Sequence, residues 1–398
     1  MPFASLLAVV AGLCQAVSLA APWSGQPNGW LQVLSLGSLV WVLHRMRRPM
    51  RGAALVWLFS TAWLSATFWW MFIAMHTFAG LHAWLAGVAV LALAAVLSLY
   101  YALAGGVYGV LRPSGPLGAA VVFAALWLLA ELARGLWFTG FGWGGIAYAH
   151  LNGLARSARF VGAYGVCALV AMIAALLACW LQSPANPRRI WLLMLAAGSA
   201  GIMAWAPGNF TQSAGTLSVA LLQGNIAQSE KFQPSSGIDT ALRWYGEQLT
   251  SQSASLVVAP ETALPMLPQA LPAGYWQGLV ERFGRGTQAA LIGMPLTDRD
   301  GGYTNSVVGL KPADVSRAGT GPAYRYDKHH LVPFGEFIPP LFRWFTRMMN
   351  IPLGDFTRGG VGQPSFEWQG QRLAPNICYE DLFGEELAQR FGGNRAPP

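Results

Sequence analysis

Seven stretches in the first half of the chain are apolar over something near the length of a bilayer crossing, and no other feature limits the fold so strongly. They run from Phe3 to Ala21, Trp30 to Leu43, Ala53 to Phe78, Leu81 to Ala104, Leu117 to Leu136, Phe160 to Leu181 and Ile190 to Trp205. A helix needs roughly 20 apolar residues to cross the hydrocarbon, and lipid offers its backbone no outside hydrogen-bond partner. A chain with several such runs therefore folds as a helical bundle in a membrane. The second run is short for one crossing and the third long. Composition agrees: 54% of the 398 residues are hydrophobic and only 11% are charged, far from a soluble protein.

The few charges sort by side. Residues 1–206 hold ten Arg, no Lys and one acid, Glu131, whereas residues 207–398 hold fifteen Lys or Arg against sixteen acids. The net charge of +8 thus comes from the apolar half, which marks membrane topology and excludes a nucleic-acid-binding face as its cause. "HRMRRPMR" follows the second run, Arg112 the fourth, and "NPRR" precedes the seventh. Such loops belong in the cytoplasm, and an odd number of crossings carries the second half to the opposite face, the periplasm of a bacterium. A cleaved signal peptide is the other reading of the first run, but Met1-Pro2-Phe3 supplies no basic segment before it.

Within the spans, Glu131 and Arg134 lie three apart, so they can pair on one helical face and offset the cost of burial. His76 and His82 flank a span junction with no acid or cysteine between them, which reads as interfacial histidines and not a metal site. Cys14, Cys167 and Cys179 sit in apolar runs, where a thiol behaves as a small hydrophobe, and Cys378 has no evident disulfide partner.

From Thr216 the pattern changes to short strands alternating with amphipathic helices. "TLSVALLQ", "SLVVAP", "AALIGMP" and "YTNSVVGL" read as strands, and "IDTALRWYGEQLTSQ" and "YWQGLVERFG" as helices. The intervening "APGNFTQSAG" has linker composition. We therefore expect a membrane domain over 1–206, a linker over 207–215 and an α/β domain over 216–398.

Three stretches gather polar residues at the ends of apolar strands, where α/β folds hold their sites. In "SLVVAPETALP", Glu261 is a loop acid or a general base among apolar neighbours. In "YRYDKHHLVPFGEFIPP", Lys328 ends an aromatic strand, as a solvated lysine or as a cation for an oxyanion, and Glu336 lies in a loop bounded by Pro333 and Pro339. In "NICYEDLFGEE", Cys378 sits at a strand-to-helix turn. Helix N-terminal amides there would favour the thiolate, and the alternative is a buried, inert thiol.

The ordered set Glu, Lys, Cys, each after a strand, resembles the nitrilase or carbon-nitrogen hydrolase superfamily. That resemblance implies a four-layer αββα sandwich, with Cys378 as nucleophile, Glu261 as general base and Lys328 stabilising the tetrahedral intermediate. With the membrane half, "LLQGNIAQSEKF", "PETALP", "DKHHLVPFGEFIP", "ICYED" and "ELARGLWFTGFGWGGIAYAH" resemble the apolipoprotein N-acyltransferase family of the bacterial inner membrane. The family's supporting residues then fall on Glu336, Tyr379 and Glu380, and a lipid-facing ring on Phe232, where better-known members carry tryptophan. The implied reaction moves an acyl chain from a membrane phospholipid, through a Cys378 thioester, to the α-amino group of a diacylated apolipoprotein, with no cofactor and no metal.

Rival expectations are a membrane-tethered amidase, a Cys-His enzyme using His329 or His330, and an inactive membrane protein of the same family. In the family the chain continues well past the cysteine-bearing helix, whereas here "GGNRAPP" follows it. The expectation is a sandwich whose C-terminal part is missing, less stable than a complete member and of uncertain activity, because a sheet without its neighbours exposes apolar surface and unpaired backbone.

Overall fold

The computed structural model describes residues 2–78, 80–182, 191, 194–198, 201, 212–213, 215–227, 229–312, 324–338 and 356–391. The chain divides into two compact units, Met1–Gln212 and Ser213–Pro398.

The first unit is helical. Its elements are α1 (Pro2–Leu19), α2 (Gly29–Leu43), α3 (Pro49–Thr67), α4 (Trp69–Ile73, continued by a π turn over Ala74–Phe78), α5 (Ala83–Leu111), α6 (Pro116–Leu136) and α7 (Ala158–Gln182). Among the described residues, four helical stretches are long and apolar enough to cross a membrane: Pro2–Leu19, Ala83–Leu111, Pro116–Thr139 and Leu154–Gln182. The third expected span is not one straight helix. Pro49–Thr67 and Trp69–Phe78 meet at a bend of 53°. Unbroken, that stretch would be about 45 Å long, well beyond a hydrocarbon core of about 30 Å, so the bend turns its aromatic end aside. The helix α2 spans 15 residues, and Asn28 caps it by accepting a hydrogen bond from Leu31 N at 3.1 Å. Most of the seventh expected span, the "NPRR" loop and most of the 207–215 linker lie outside the described residues.

The bundle closes around aromatic rings. Trp63 stacks on Trp127 at 6.1 Å, and Tyr101 lies 4.8 Å from Trp127. Helices approach closely where a side chain is missing: a Cβ on Gly12 would stand 2.2 Å from the carbonyl oxygen of Phe59. Arg112 Nη1 donates to the carbonyl of Leu43 at 3.3 Å, which brings two of the basic loops to one end of the bundle. Glu131 and Arg134 do pair, at 2.8 Å. Arg134 also donates to Tyr101 Oη and to the carbonyls of Phe141 and Trp143, so the guanidinium secures the segment that follows α6 as well as its counter-ion.

The second unit holds a mixed five-stranded sheet in the order β1 (Val219–Leu221), β2 (Leu256–Ala259), β3 (Ala289–Thr297), β4 (Tyr303–Leu310) and β5 (Tyr324–Asp327). The pairs β1–β2 and β2–β3 are parallel because a helix intervenes in each connection: α8 (Gly237–Ser251) and α9 (Tyr275–Gly284). β3–β4 and β4–β5 are antiparallel. The turn between β3 and β4 is held by Asp298 Oδ1, which accepts from the amides of Asp300 and Gly302.

Both sheet faces are covered, which is why β3 reads as a continuous apolar run. Val257, Ala259, Ala290, Ile292, Met294 and Val308 pack with Leu242, Leu249, Leu279 and Phe283 of α8 and α9. On the opposite face, Leu256, Ala289 and Leu291 pack against Phe366, which belongs to a second, two-stranded sheet of β6 (Phe366–Trp368) and β7 (Gln371–Leu373). Of the expected four-layer sandwich, the described residues show the helix layer, the main sheet and this hairpin. A short helix, α10 (Gly384–Ala388), follows the Cys378 turn.

Candidate active site

The carboxyl ends of β2 and β5 and the start of β4 meet at one edge of the main sheet, and the polar residues collect there. β2 stops at Pro260, which has no N–H for the ladder. The next residues form a tight turn with Thr262 at φ +48°, and Leu264 N returns to the carbonyl of Gly293 at 3.2 Å. Gly293 permits this: a Cβ there would stand 2.2 Å from Pro260 O and 2.8 Å from Glu261 Cα. The turn thus lies against β3 and directs Glu261 over the sheet edge.

Lys328 follows β5, its amide donating to Asn305 O at 2.8 Å. Its side chain is 1% exposed, and Nζ donates to Glu336 Oε1 at 2.9 Å and to Glu261 Oε1 at 3.4 Å. Burial alone would weaken its hold on the proton, but the two carboxylates outweigh that and raise its pKa above the ordinary lysine value. The lysine therefore holds its proton more firmly than an ordinary lysine. Glu336 sits in the turn between Pro333 and Phe337, with Oε2 accepting from Val332 N at 2.9 Å; Pro339 lies outside the described residues.

Asn305, in β4, joins the same carboxylates. Its Nδ2 donates to Glu261 Oε1 at 2.5 Å and to Glu336 Oε1 at 2.8 Å. The signal for it in the sequence was a polar amide inside the apolar run "YTNSVVGL", at a position that is buried. A second unforeseen residue, Lys231, donates from Nζ to the backbone carbonyl of Glu261 at 3.2 Å.

Cys378 is exposed, and it differs from the expected strand-to-helix turn. β7 ends at Leu373, residues 374–377 belong to no strand or helix, and after an extended Ile377 Cys378 opens a five-residue 3-10 turn with φ +52°. So short a turn has little dipole to lend a thiolate. The thiol is pushed up, not down: although the residue is exposed at the surface, the packing on its inner side is the largest cause, followed by the charge of Glu261, against the opposing pull of Lys328. A cysteine held this way needs its neighbour to take the proton.

Glu380, 4% exposed, works behind the cysteine. Its carboxylate accepts from Tyr326 Oη at 2.8 Å, His329 N at 2.7 Å and Ile377 N at 2.9 Å. It thereby ties the segment carrying Lys328 to the turn carrying Cys378. Tyr379 is buried between His330 and Phe383, edge-on to both rings. The histidines are engaged away from the thiol: His329 Nδ1 donates to Gly359 O at 2.7 Å, and His330 Nδ1 pairs with Glu386 at 2.9 Å. Phe232 is 58% exposed, its ring 5.8 Å from the ammonium of Lys231, which reaches the cluster. Glu261, Lys328, Glu336 and Cys378 are thus together, with Glu380 and Tyr379 as their support.

Such a cluster can transfer an acyl group: a nucleophilic sulfur, a carboxylate on its proton and a fixed cation for the oxyanion. Comparison with known proteins points the same way. Residues 11–176 match the model of the apolipoprotein N-acyltransferase N-terminal domain, and residues 218–392 match the carbon-nitrogen hydrolase model. An apolipoprotein N-acyltransferase of Verminephrobacter eiseniae is 53% identical over 96% of this chain and 74% of its own length. One of Ralstonia nicotianae is 42% identical over 97% of this chain and 72% of its own.

Proposed function

Because the chain belongs to the apolipoprotein N-acyltransferase family, we propose that it carries an acyl chain on Cys378 between a membrane phospholipid and a diacylated apolipoprotein. The chain is an N-acyltransferase of lipoprotein maturation and a multi-pass membrane protein. The observation that carries the assignment of roles is that Lys328 Nζ donates to both Glu261 and Glu336 at the cluster whose charges act on the Cys378 thiol.

In the first half-reaction Glu261 takes the thiol proton as sulfur attacks the ester carbon of the phospholipid. Lys328 faces the oxyanion that develops, with Glu336 and Asn305 fixing its ammonium and the base in place. The carbon–oxygen bond breaks, Glu261 returns the proton to the departing alkoxide, and a lysophospholipid leaves a thioester behind. In the second, the α-amino group of the acceptor's diacylglyceryl-cysteine attacks the thioester carbon and Glu261 takes the amine proton. The carbon–sulfur bond breaks, and the proton passes back to the thiolate. No metal or cofactor is needed for either step.

The basic loops after α2 and α5 support a bacterial inner-membrane orientation with those loops cytoplasmic. With the apolar run Ile190–Trp205 counted as a crossing on its composition alone, the proposed orientation makes the second unit periplasmic.

The test is acylation of the full chain in phosphatidylethanolamine vesicles carrying a labelled acyl chain. A hydroxylamine-labile label on Cys378, passed on to a diacylated lipopeptide and absent in Cys378→Ser, is the expected result. Release of ammonia from small amides with no labelled cysteine would replace the proposal with an amidase.

A further inference from the structure

Lys231 is a cation at the edge of the cluster that the acyl-transfer steps do not use. It sits in the turn over 229–233, where its amide donates to Ala227 O at 3.0 Å. Its ammonium gives one hydrogen bond, to the Glu261 carbonyl. Among the described residues no other side chain or carbonyl accepts from it, so within them one of its three donors has a partner. Its half-buried position is more open than that of Lys328, and the exposed ring of Phe232 lies 5.8 Å from its nitrogen. Nearby burial makes its proton easier to lose, yet the charges of Glu261 and Cys378 pull the other way, which sets it within electrostatic reach of the reacting sulfur.

The charge balance gives this lysine a task. Glu261 and Glu336 face a single deep cation, Lys328, which they already occupy. The surroundings of the cysteine therefore repel an anion. A phospholipid brings one: its phosphodiester is joined to each acyl ester by a short glycerol linkage, so it must lie close to the sulfur when either ester carbonyl does. A desolvated ammonium at the outer side of the cluster, with donors that no described residue fills, answers that demand.

Resting on the acyl-transfer reading above, we infer that Lys231 binds the phosphate of the acyl donor and so selects phospholipids over uncharged acyl esters. Lys328 serves the reaction centre and Lys231 the headgroup side of the same substrate. The bond to Glu261 O fixes where the ammonium stands relative to the base, which couples recognition of the phosphate to the position of the ester.

The experiment compares the rate of Cys378 thioester formation from phosphatidylethanolamine with that from diacylglycerol of the same acyl chains. It uses the full chain in detergent micelles, as wild type, Lys231→Met and Lys231→Arg. The methionine variant should lower the preference for the phospholipid by about 10- to 100-fold, the effect of losing charge-assisted hydrogen bonds to the phosphate. The change should appear in the donor concentration needed for half-maximal rate, and arginine should restore most of it. Equal losses with both donors would overturn the inference, because the lysine would then serve only to hold Glu261 or the thiolate; so would an unchanged preference. A wild-type chain that forms no thioester with either donor would instead bring down the acyl-transfer reading itself.

Discussion

Glu380 makes no hydrogen bond to Cys378, Glu261 or Lys328, yet its removal should disable the site. Its carboxylate is 4% exposed and takes hydrogen bonds from Tyr326 Oη, His329 N and Ile377 N, all between 2.7 and 2.9 Å. Glu380→Ala leaves four donors unpaired, because the His330 amide also bonds it at 3.4 Å; those of Tyr326, His330 and Ile377 are buried and that of His329 partly so, each buried one costing about 1–3 kcal/mol. These losses share one small region and do not simply add, so the expected destabilisation is about 3–5 kcal/mol, in line with breaking up other buried charged networks. For a unit of this size each kcal/mol lowers the melting temperature by roughly 2–4 °C, so the unit should melt about 10 °C early. Glu380→Gln keeps one acceptor oxygen and should cost about 1–3 kcal/mol.

Thermal unfolding in detergent, run beside thioester formation at a temperature where every variant is folded, separates two consequences. Because Glu380 links the Lys328 segment to the Cys378 turn, activity should fall even in the fully folded population. A Glu380→Ala chain that melts with the wild type and acylates at the wild-type rate would refute the clamp. A chain that melts normally but is inactive would make Glu380 a participant in the chemistry and not a support.

Two further outcomes follow from the same geometry. Glu261→Gln removes the charge that repels the thiolate, so the apparent pKa of Cys378 should drop. Iodoacetamide should then label Cys378 faster near pH 7 than in the wild type, where labelling rises only at more alkaline pH, while acyl transfer falls by about 100-fold or more for want of its base; slower labelling would contradict this. Gly293→Ala inserts a methyl against Pro260 and Glu261, and should cost about 1–3 kcal/mol in denaturant unfolding and displace the base. Normal stability together with normal transfer would show that the turn has room it does not display.

Much of this protein was legible in order along the chain. The first, fourth, fifth and sixth expected spans were, because crossing lipid demands long apolar runs that few other folds require, and so were β2, β3, β4, α8 and α9, whose periodicity is local. Glu261, Lys328 and Cys378 of the cluster were legible as types in a recognisable order. What happened to the third span was not: an apolar run shows that a segment prefers lipid, but its bend over Thr67–Trp69 depends on how much length the bundle can use.

The site differed in the same way. Sequence alone determined that a glutamate, a lysine and a cysteine each follow an extended segment, because such placement is written in neighbouring residues. Only the tertiary structure decided that Asn305 bridges two carboxylates, that Lys231 reaches the carbonyl of Glu261, and that Glu380 faces backward onto Tyr326 and three amides. It also reversed the expected effect on the thiol. The short turn after Cys378 supplies little dipole, while Glu261 and Glu336, which are 117 and 42 positions away in sequence, bring negative charge to it. Hydrogen-bond partners and electric fields are set by distance in space, and the folded sheet edge is what makes those distances short.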